Sequence, residues 1–305
     1  MSLLLDEIAV AAARLAAAGV DSPRADAEQI AAHVHRVPRT ELHRVPDTAF
    51  DPRFWDDVAR REAREPLQHI TGHAYFRYLD LEVGPGVFVP RPETEVMTGW
   101  AIDRLTEMDV TEPVVADLGT GSGAIALAIA QEVPRSRVHA VEMDPLAGAW
   151  AQRNIDRLAK DAPHTAGRVI LHNGDFAEAL EFLRQSVDLV ISNPPYIPSG
   201  AGVPPEVGEY DPATALWGGG GDGLDAVRAV ERAAQELLRP GGLAAVEHGA
   251  PQGAAVYWIF SEERGWRGTR NHKDLVGRDR FVTATWPGPQ DEPAGGRMNR
   301  YERMV

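Results

Sequence analysis

The chain has 305 residues, 44% hydrophobic and 25% charged, a composition that suits one large or two smaller globular domains. No apolar run approaches the roughly 20 residues that span a bilayer, MSLLLDE lacks the basic start of a signal peptide, and the lack of cysteine excludes disulfides, thiolate metal sites and a cysteine nucleophile. A net charge of −14 argues against an extensive phosphate-binding surface, because nucleic-acid affinity comes largely from Lys and Arg, and a cytoplasmic location fits all of this.

Residues 1–72 read as a helical bundle. Leu4, Leu5, Ile8, Ala12, Leu15 and Ala16 recur at helical spacing, and Gly19 is a stop signal. Ser22-Pro23 and Asp51-Pro52 each give a cap residue followed by proline, and Ile30, Val34, Phe54, Trp55 and Val58 supply apolar stripes. Residues 73–92 read as a β-hairpin linker, with YFRYLDLEV (75–83) turning at Gly84-Pro85-Gly86 into Val87-Phe88-Val89.

From residue 93 to 286 strands alternate with helices. Strands are expected at 114–118, 137–142, 169–171, 187–191 and 243–247, and helices at 124–130, 145–158 and 224–238. That alternation predicts an α/β domain with a doubly wound, mostly parallel sheet. Ligands bind such sheets beyond the carboxyl ends of the strands. Residues 287–305, rich in Pro, Gly and charge, read as a mobile tail.

The first three strand ends suit an adenosine site. DLGTGSG (Asp117, Leu118, Gly119, Thr120, Gly121, Ser122, Gly123) lets backbone approach a ligand at a helix N-terminus. Its G-x-G-x-G spacing differs from the dinucleotide G-x-G-x-x-G. It resembles the cofactor loop of methyltransferases that use S-adenosylmethionine. Glu142, with Asp144 as the other candidate, is placed to take ribose hydroxyls. Asp175 and Phe176, after Asn173-Gly174, are placed to bond and flank the base.

The fourth strand end carries Asn193-Pro194-Pro195-Tyr196. The tetrapeptide is similar to the motif of amino-methyltransferases acting on planar nitrogens, either exocyclic base amines or glutamine amides. The chemistry agrees. The Asn193 side-chain oxygen and the Pro194 carbonyl can each accept one N–H of an NH₂ group, and Tyr196 can stack on its plane. Asn193, Pro194 and Tyr196 are therefore the catalytic candidates, and the resemblance implies Asn193 to Tyr196 (Asn193, Pro194, Pro195, Tyr196) as substrate contacts and Asn193 also as a cofactor contact.

REPLQHITG (64–72), Phe76, VFVPRPETE (87–95), DLGTGSGAIALA (117–128), NPPYI (193–197), Gly223-Leu224-Asp225, Gly241-Gly242 and Glu247-His248-Gly249 together resemble release-factor glutamine methyltransferases, the HemK/PrmC family. The most specific element is PRPETE (90–95). The resemblance runs to about Trp286 and implies a class I methyltransferase domain behind a helical substrate-recognition domain. It implies S-adenosylmethionine as cofactor and S-adenosylhomocysteine as product. The implied substrate is the glutamine of the Gly-Gly-Gln loop in class 1 peptide-chain release factors. Glu142 stands where the family often has Asp, and Phe176 where some members have Trp. The alternative is an enzyme acting on an exocyclic base nitrogen of rRNA or DNA, for which the acidic chain offers no basic module. An NAD-dependent oxidoreductase would leave residues 193–196 unexplained.

Elsewhere, His33, His35 and His43 form no metal-ligand constellation, and Arg60, Arg61 and Arg64 read as a solvated helix face. Arg91 and Glu93 are expected to organise the active-site wall. Glu247-His248 is expected to be structural, since the chemistry needs no strong base. LWGGGGDG (216–223) reads as a flexible loop at the rim.

Overall fold

A computed structural model describes residues 3–46 and 51–289. The expected tail therefore lies, from residue 290, outside the described residues. In the N-terminal part, α1 (Leu3–Ala17), α2 (Pro23–His35), α3 (Arg53–Glu62) and the short α4 (Leu67–Thr71) enclose a core of Leu4, Ile8, Leu15, Ile30, Phe54 and Val58. Pro23 opens α2, but Ser22 makes no side-chain cap. At α3 the Asp51 carboxylate instead accepts from the Arg53 N–H at 2.9 Å.

The expected hairpin is shifted. Strands β1 (His73–Phe76) and β2 (Leu79–Glu82) pair antiparallel, His73 opposite Glu82, so the turn falls at Arg77-Tyr78. Arg77 takes a left-handed φ of 51° there. Residues 87–89 form no strand. Gly84 instead lies against the Trp150 ring, where a Cβ would come within 2.6 Å.

The second part contains α5 (Pro92–Glu107), β3 (Val114–Leu118), α6 (Ala124–Glu132), β4 (Arg137–Glu142), α7 (Pro145–Asp161), α8 (Pro163–Ala166) and β5 (Val169–Asn173). There follow α9 (Phe176–Ala179), β6 (Val187–Ser192), α10 (Pro205–Gly208), α11 (Ala213–Leu216), α12 (Asp225–Leu237), β7 (Leu238–Glu247), α13 (Gly253–Ile259), β8 (Arg267–Lys273) and β9 (Asp279–Trp286). The seven strands run in the order β5-β4-β3-β6-β7-β9-β8, parallel from β5 to β7, with β9 and β8 antiparallel. Residues 239–242, left between the expected helix and strand, are absorbed into β7 as an irregularity in its register with β6.

Strand periodicity explains why both sheet faces are covered. Leu189 and Ile191 join Met97, Leu105, Ile125 and Ile129 on one face, while Val190 joins Val227, Val230 and Trp266 on the other. Helix α6 is buried at every position from Ala124 to Ala130, the signature of a core helix rather than an amphipathic one. The chain lays down β3, β4 and β5 toward one edge, then returns to place β6 on the other side of β3. The reversal between β3 and β6 opens a crevice at the strands' carboxyl ends. Among the described residues, no helix is long and apolar enough to cross a membrane.

Candidate active site

A cavity of about 330 Å³ fills that crevice. Gly119, Thr120, Gly121 and Ser122 line it from the end of β3, Glu142 and Asp144 from β4, Gly174, Asp175 and Phe176 from β5, and Asn193 to Tyr196 from β6. The structure thus gathers onto one surface residues separated by almost eighty positions. Asp117 and Gly123 do not line the cavity. Asp117 is fully buried behind the loop, accepting from Thr120 Oγ1 at 2.6 Å and the Ala126 N–H at 3.1 Å. Gly123 is the residue before α6, at φ +85°.

Three glycines form a cradle. Gly119 (φ +76°), Gly121 (φ +58°) and Gly174 (φ +140°) all have backbone that L side chains rarely adopt, and a Cβ on any of them would meet nothing within 4 Å. Open space beside such backbone is what a ligand held by a glycine loop requires. Glu142, at the edge of this cradle, accepts from the Gly121 N–H (2.8 Å) and the Asp144 N–H (2.9 Å). Burial pushes its carboxyl up, opposed by these backbone donors. Each oxygen keeps a free lone pair for a hydroxyl. Asp144 is the N-cap of α7, accepting from Leu146 N–H at 2.8 Å, and Asp175 likewise caps α9 through Ala177 N–H at 2.9 Å. Both cavity-side acids thus serve their helices, and Glu142 is the one directed by the glycine loop.

The tetrapeptide is fixed from several sides. Ser192 Oγ donates to the Leu118 carbonyl at 2.6 Å, joining the ends of β6 and β3. Asn193 Nδ2 donates to Thr94 Oγ1 at 3.1 Å, which leaves Asn193 Oδ1 free as an acceptor. Among the described residues, neither that oxygen nor the Pro194 carbonyl takes a hydrogen bond. Tyr196 OH donates to Glu247 Oε1 at 3.3 Å and accepts from Arg280 at the same distance. Burial, with Glu247 alongside, pushes the phenol up, so Tyr196 stays protonated.

The glycine-rich segment 216–223 is a buttress, not a loose loop. The Ile197 N–H donates to the Leu216 carbonyl (2.9 Å), and the Gly218 N–H donates to the Ile197 carbonyl (3.1 Å). A Cβ on Gly218 would lie 1.9 Å from Gly223 O and 2.6 Å from Pro195 O, and one on Gly223 would lie 2.6 Å from Tyr196 O. Only glycine permits this backbone-to-backbone contact. Gln252 ties the two together, donating to the Tyr196 and Asp222 carbonyls at 2.7 and 2.9 Å.

Asn154 carries no local sequence signal. Asn154, buried on α7, accepts from Glu82 N–H and donates to the carbonyls of Glu82 and Ser122, stapling the hairpin to the glycine loop. Thr94 lies inside the PRPETE stretch, and Glu247 accepts its hydroxyl at 2.7 Å. Arg91, expected to organise the wall, bonds the buried Asp211 at 2.7 Å and stacks over Phe88, whose ring lines the cavity. Glu93 pairs with Arg278 at 3.2 Å. Arg61 and Arg64, expected to be solvated, both grip Glu206.

The family model for the PrmC N-terminal domain matches residues 8–72, and the methyltransferase small domain model matches 81–207. A release factor glutamine methyltransferase of Streptomyces coelicolor is 59% identical over 93% of this chain and 98% of its own. The chain belongs to the release factor glutamine methyltransferase family. A solved structure from the same family, the release-factor-specific protein-(glutamine-N5) methyltransferase of Alicyclobacillus acidocaldarius, is 31% identical over 68% of this chain and 99% of that one, with a TM-score of 0.39. A 4-amino-L-phenylalanine/4-methylamino-L-phenylalanine methyltransferase of Streptomyces pristinaespiralis is 42% identical over 86% of this chain and 87% of its own. The names of the first and third relatives give different acceptors, a release-factor glutamine and a 4-amino-L-phenylalanine.

Proposed function

We propose that this protein transfers a methyl group from S-adenosylmethionine to the side-chain amide nitrogen of the glutamine in the Gly-Gly-Gln loop of class 1 release factors. The observation that carries the reading is the pair of acceptors with no partner among the described residues, Asn193 Oδ1 and the Pro194 carbonyl, on the wall of a cavity whose other end is a glycine cradle.

The cradle fits the cofactor. Gly119, Gly121 and Gly174 leave room against bare backbone, Glu142 has lone pairs for ribose hydroxyls, and Phe176 offers a ring face for the base. When bound, S-adenosylmethionine supplies an electrophilic methyl group and leaves as S-adenosylhomocysteine. The protein's task is the poor nucleophile. An amide nitrogen has a delocalised lone pair, and two acceptors holding both of its hydrogens orient the remaining face. Such positioning replaces a bimolecular encounter with a held geometry and can remove several kcal/mol from the barrier. The same acceptors stabilise the positive charge that develops on nitrogen. Tyr196, held at its hydroxyl by Glu247 and Arg280, presents a fixed ring beside the planar group. No strong base is needed first, because the nitrogen's protons become acidic once it is methylated.

The test uses methyl-labelled S-adenosylmethionine in separate reactions with a release factor, ribosomal RNA, DNA and 4-amino-L-phenylalanine, with the label located by mass spectrometry. Label on the Gly-Gly-Gln glutamine is expected. Label only on a base or on the small aryl amine would replace this reading by the corresponding alternative.

A further inference from the structure

An asparagine amide offers an acceptor at one end and donors at the other, and only the acceptor end suits a substrate NH₂. Thr94 does not by itself decide which end faces the cavity, since a hydroxyl both donates and accepts. The deciding group stands behind it. Glu247, at the end of β7, is 1% exposed, and its Oε2 lies 2.7 Å from Thr94 Oγ1. We infer that Glu247 and Thr94 form a polarity lock on Asn193. The Glu247 carboxylate takes the one hydroxyl proton of Thr94, Thr94 must then accept from the Asn193 NH₂, and Asn193 Oδ1 is turned toward the substrate nitrogen. The inference rests on the glutamine-amide reading above and names two positioning residues for it.

The surroundings of Glu247 fit a carboxylate that acts only as an acceptor. Thr94 donates from α5 and Tyr196 OH from the tetrapeptide, while Arg280 approaches from β9 and is shared with Asp274 at 3.7 Å. Glu93, also on α5, is an acid acting against it, and it is held by Arg278. The neighbouring His248 faces away, bonded to the Gly249 carbonyl and Asn271. Burial raises the Glu247 carboxyl to about 7, against the pull of Thr94, Arg280 and Tyr196. Once protonated, Glu247 can donate to Thr94. The Thr94 hydroxyl is then free to donate to Asn193, and the amide can turn its NH₂ toward the substrate NH₂. Two donors then face each other, and the clamp fails.

Two measurements test this. In the first, kcat is followed from pH 5.5 to 8.5 for the wild type and for Thr94→Val, Thr94→Ser and Glu247→Gln, with cofactor affinity and Tm recorded for each. The wild type should lose turnover as pH falls through the neutral region. Thr94→Val and Glu247→Gln should lose about 10- to 100-fold in kcat at pH 8, lack the acid limb, and keep cofactor affinity within a few fold. Thr94→Ser should recover most of the loss and restore the limb. A wild-type kcat and acid limb in both Thr94→Val and Glu247→Gln, or a Thr94→Ser as impaired as Thr94→Val, would overturn the lock. In the second, the side-chain NH₂ signal of Asn193, assigned by its loss in Asn193→Asp, is followed by NMR against pH without substrate. It should shift with one protonation near neutrality and lose that shift in Glu247→Gln. If the wild type methylates no release factor yet this signal behaves as stated, the substrate reading falls and the lock stands. If the signal is pH-independent in an active enzyme, the lock falls alone.

Discussion

Arg64 holds Glu206 through two hydrogen bonds of 2.6 and 2.7 Å, joining the helical bundle to the segment that follows Asn193-Pro194-Pro195-Tyr196. Arg61 adds a contact to Glu206 at 3.1 Å while bonding Asp26 at 2.8 Å, and Tyr210 OH donates to the Ala63 carbonyl. Burial alone would raise the Glu206 carboxyl, but the two arginines outweigh it and hold it below the usual range. Its contribution is therefore full above the unfolded carboxylate range and lost as pH falls through the folded value. Glu206→Ala leaves Arg61, 7% exposed, with one acid fewer. Because Arg61 keeps its bond to Asp26, a loss of about 2 kcal/mol is expected in urea denaturation at pH 7. New protease cleavage between residues 199 and 212 should accompany it. Wild-type stability and an unchanged digest would show that the bundle does not brace this segment.

Two glycines should respond oppositely to alanine. At Gly121 a Cβ enters open cavity, so the fold bears only the left-handed backbone cost, about 1–2 kcal/mol. The ligand meets the new methyl directly, and cofactor affinity should fall by roughly 10-fold or more. At Gly218 the Cβ would sit 1.9 Å from a backbone oxygen that cannot swing away. Segment 216–223 must then shift off residues 195–198, and kcat and Tm should drop together. Calorimetric titration and thermal melts separate the two, and equal effects from both would refute the distinction between cradle and buttress.

Asp117 predicts a pH-dependent stability. Its carboxyl is raised to about 7 by burial, against bonds from Thr120 and Ala126. The unfolded value is about 4. Between those limits the folded state binds more protons, so stability falls as pH rises through the window and levels off above it. Asp117→Asn keeps an oxygen for both donors. It sets an NH₂ where Oδ1 is now buried without a partner, which costs the same at every pH. Relative to wild type, the variant should therefore gain at most about 4 kcal/mol between pH 4.5 and 8. Parallel denaturation curves at the two pH values measure the gain. No change would mean that Asp117 is ionised throughout.

The sheet was legible because its strands alternate with helices and each ends in a chemically distinctive loop. The glycine loop, Glu142, Phe176 and Asn193 to Tyr196 could be placed together from strand-end positions alone. The hairpin was misplaced because Gly84-Pro85-Gly86 is a strong turn signal, while the real turn uses Arg77-Tyr78, where neither residue type announces a left-handed backbone. Arg77, at that turn, bonds Glu132 on α6 at 2.5 and 2.6 Å. Segment 216–223 looked flexible because composition cannot distinguish glycines that confer freedom from glycines that allow close backbone packing. The bonds Thr94–Glu247, Asn154–Glu82, Glu247–Tyr196 and Gln252–Tyr196 join partners 51 to 153 residues apart. Periodicity and local motifs do not carry that information. Residues 267–286 were left unassigned because antiparallel β8 and β9 have no helix between them and so break the alternation.

Asn193→Ala tests the clamp most directly. The substitution removes the free Oδ1 and the Nδ2 bond to Thr94, but it leaves the Ser192–Leu118 link and the glycine cradle untouched. Turnover should fall on the order of 10²-fold, as for loss of one preorganised polar contact to a transition state. Cofactor affinity should change by no more than several fold, because Glu142, Phe176 and the glycine backbone remain. Asn193→Asp adds a sharper contrast. It keeps an acceptor for the substrate but has no N–H for Thr94, and it brings a second acid toward Glu247. Charge stabilisation alone would predict an active Asp variant. A geometric clamp predicts one nearly as slow as Asn193→Ala. Single-turnover rates at saturating cofactor distinguish them, and near-normal turnover in Asn193→Ala would mean that the amide acceptor lies elsewhere on the cavity wall.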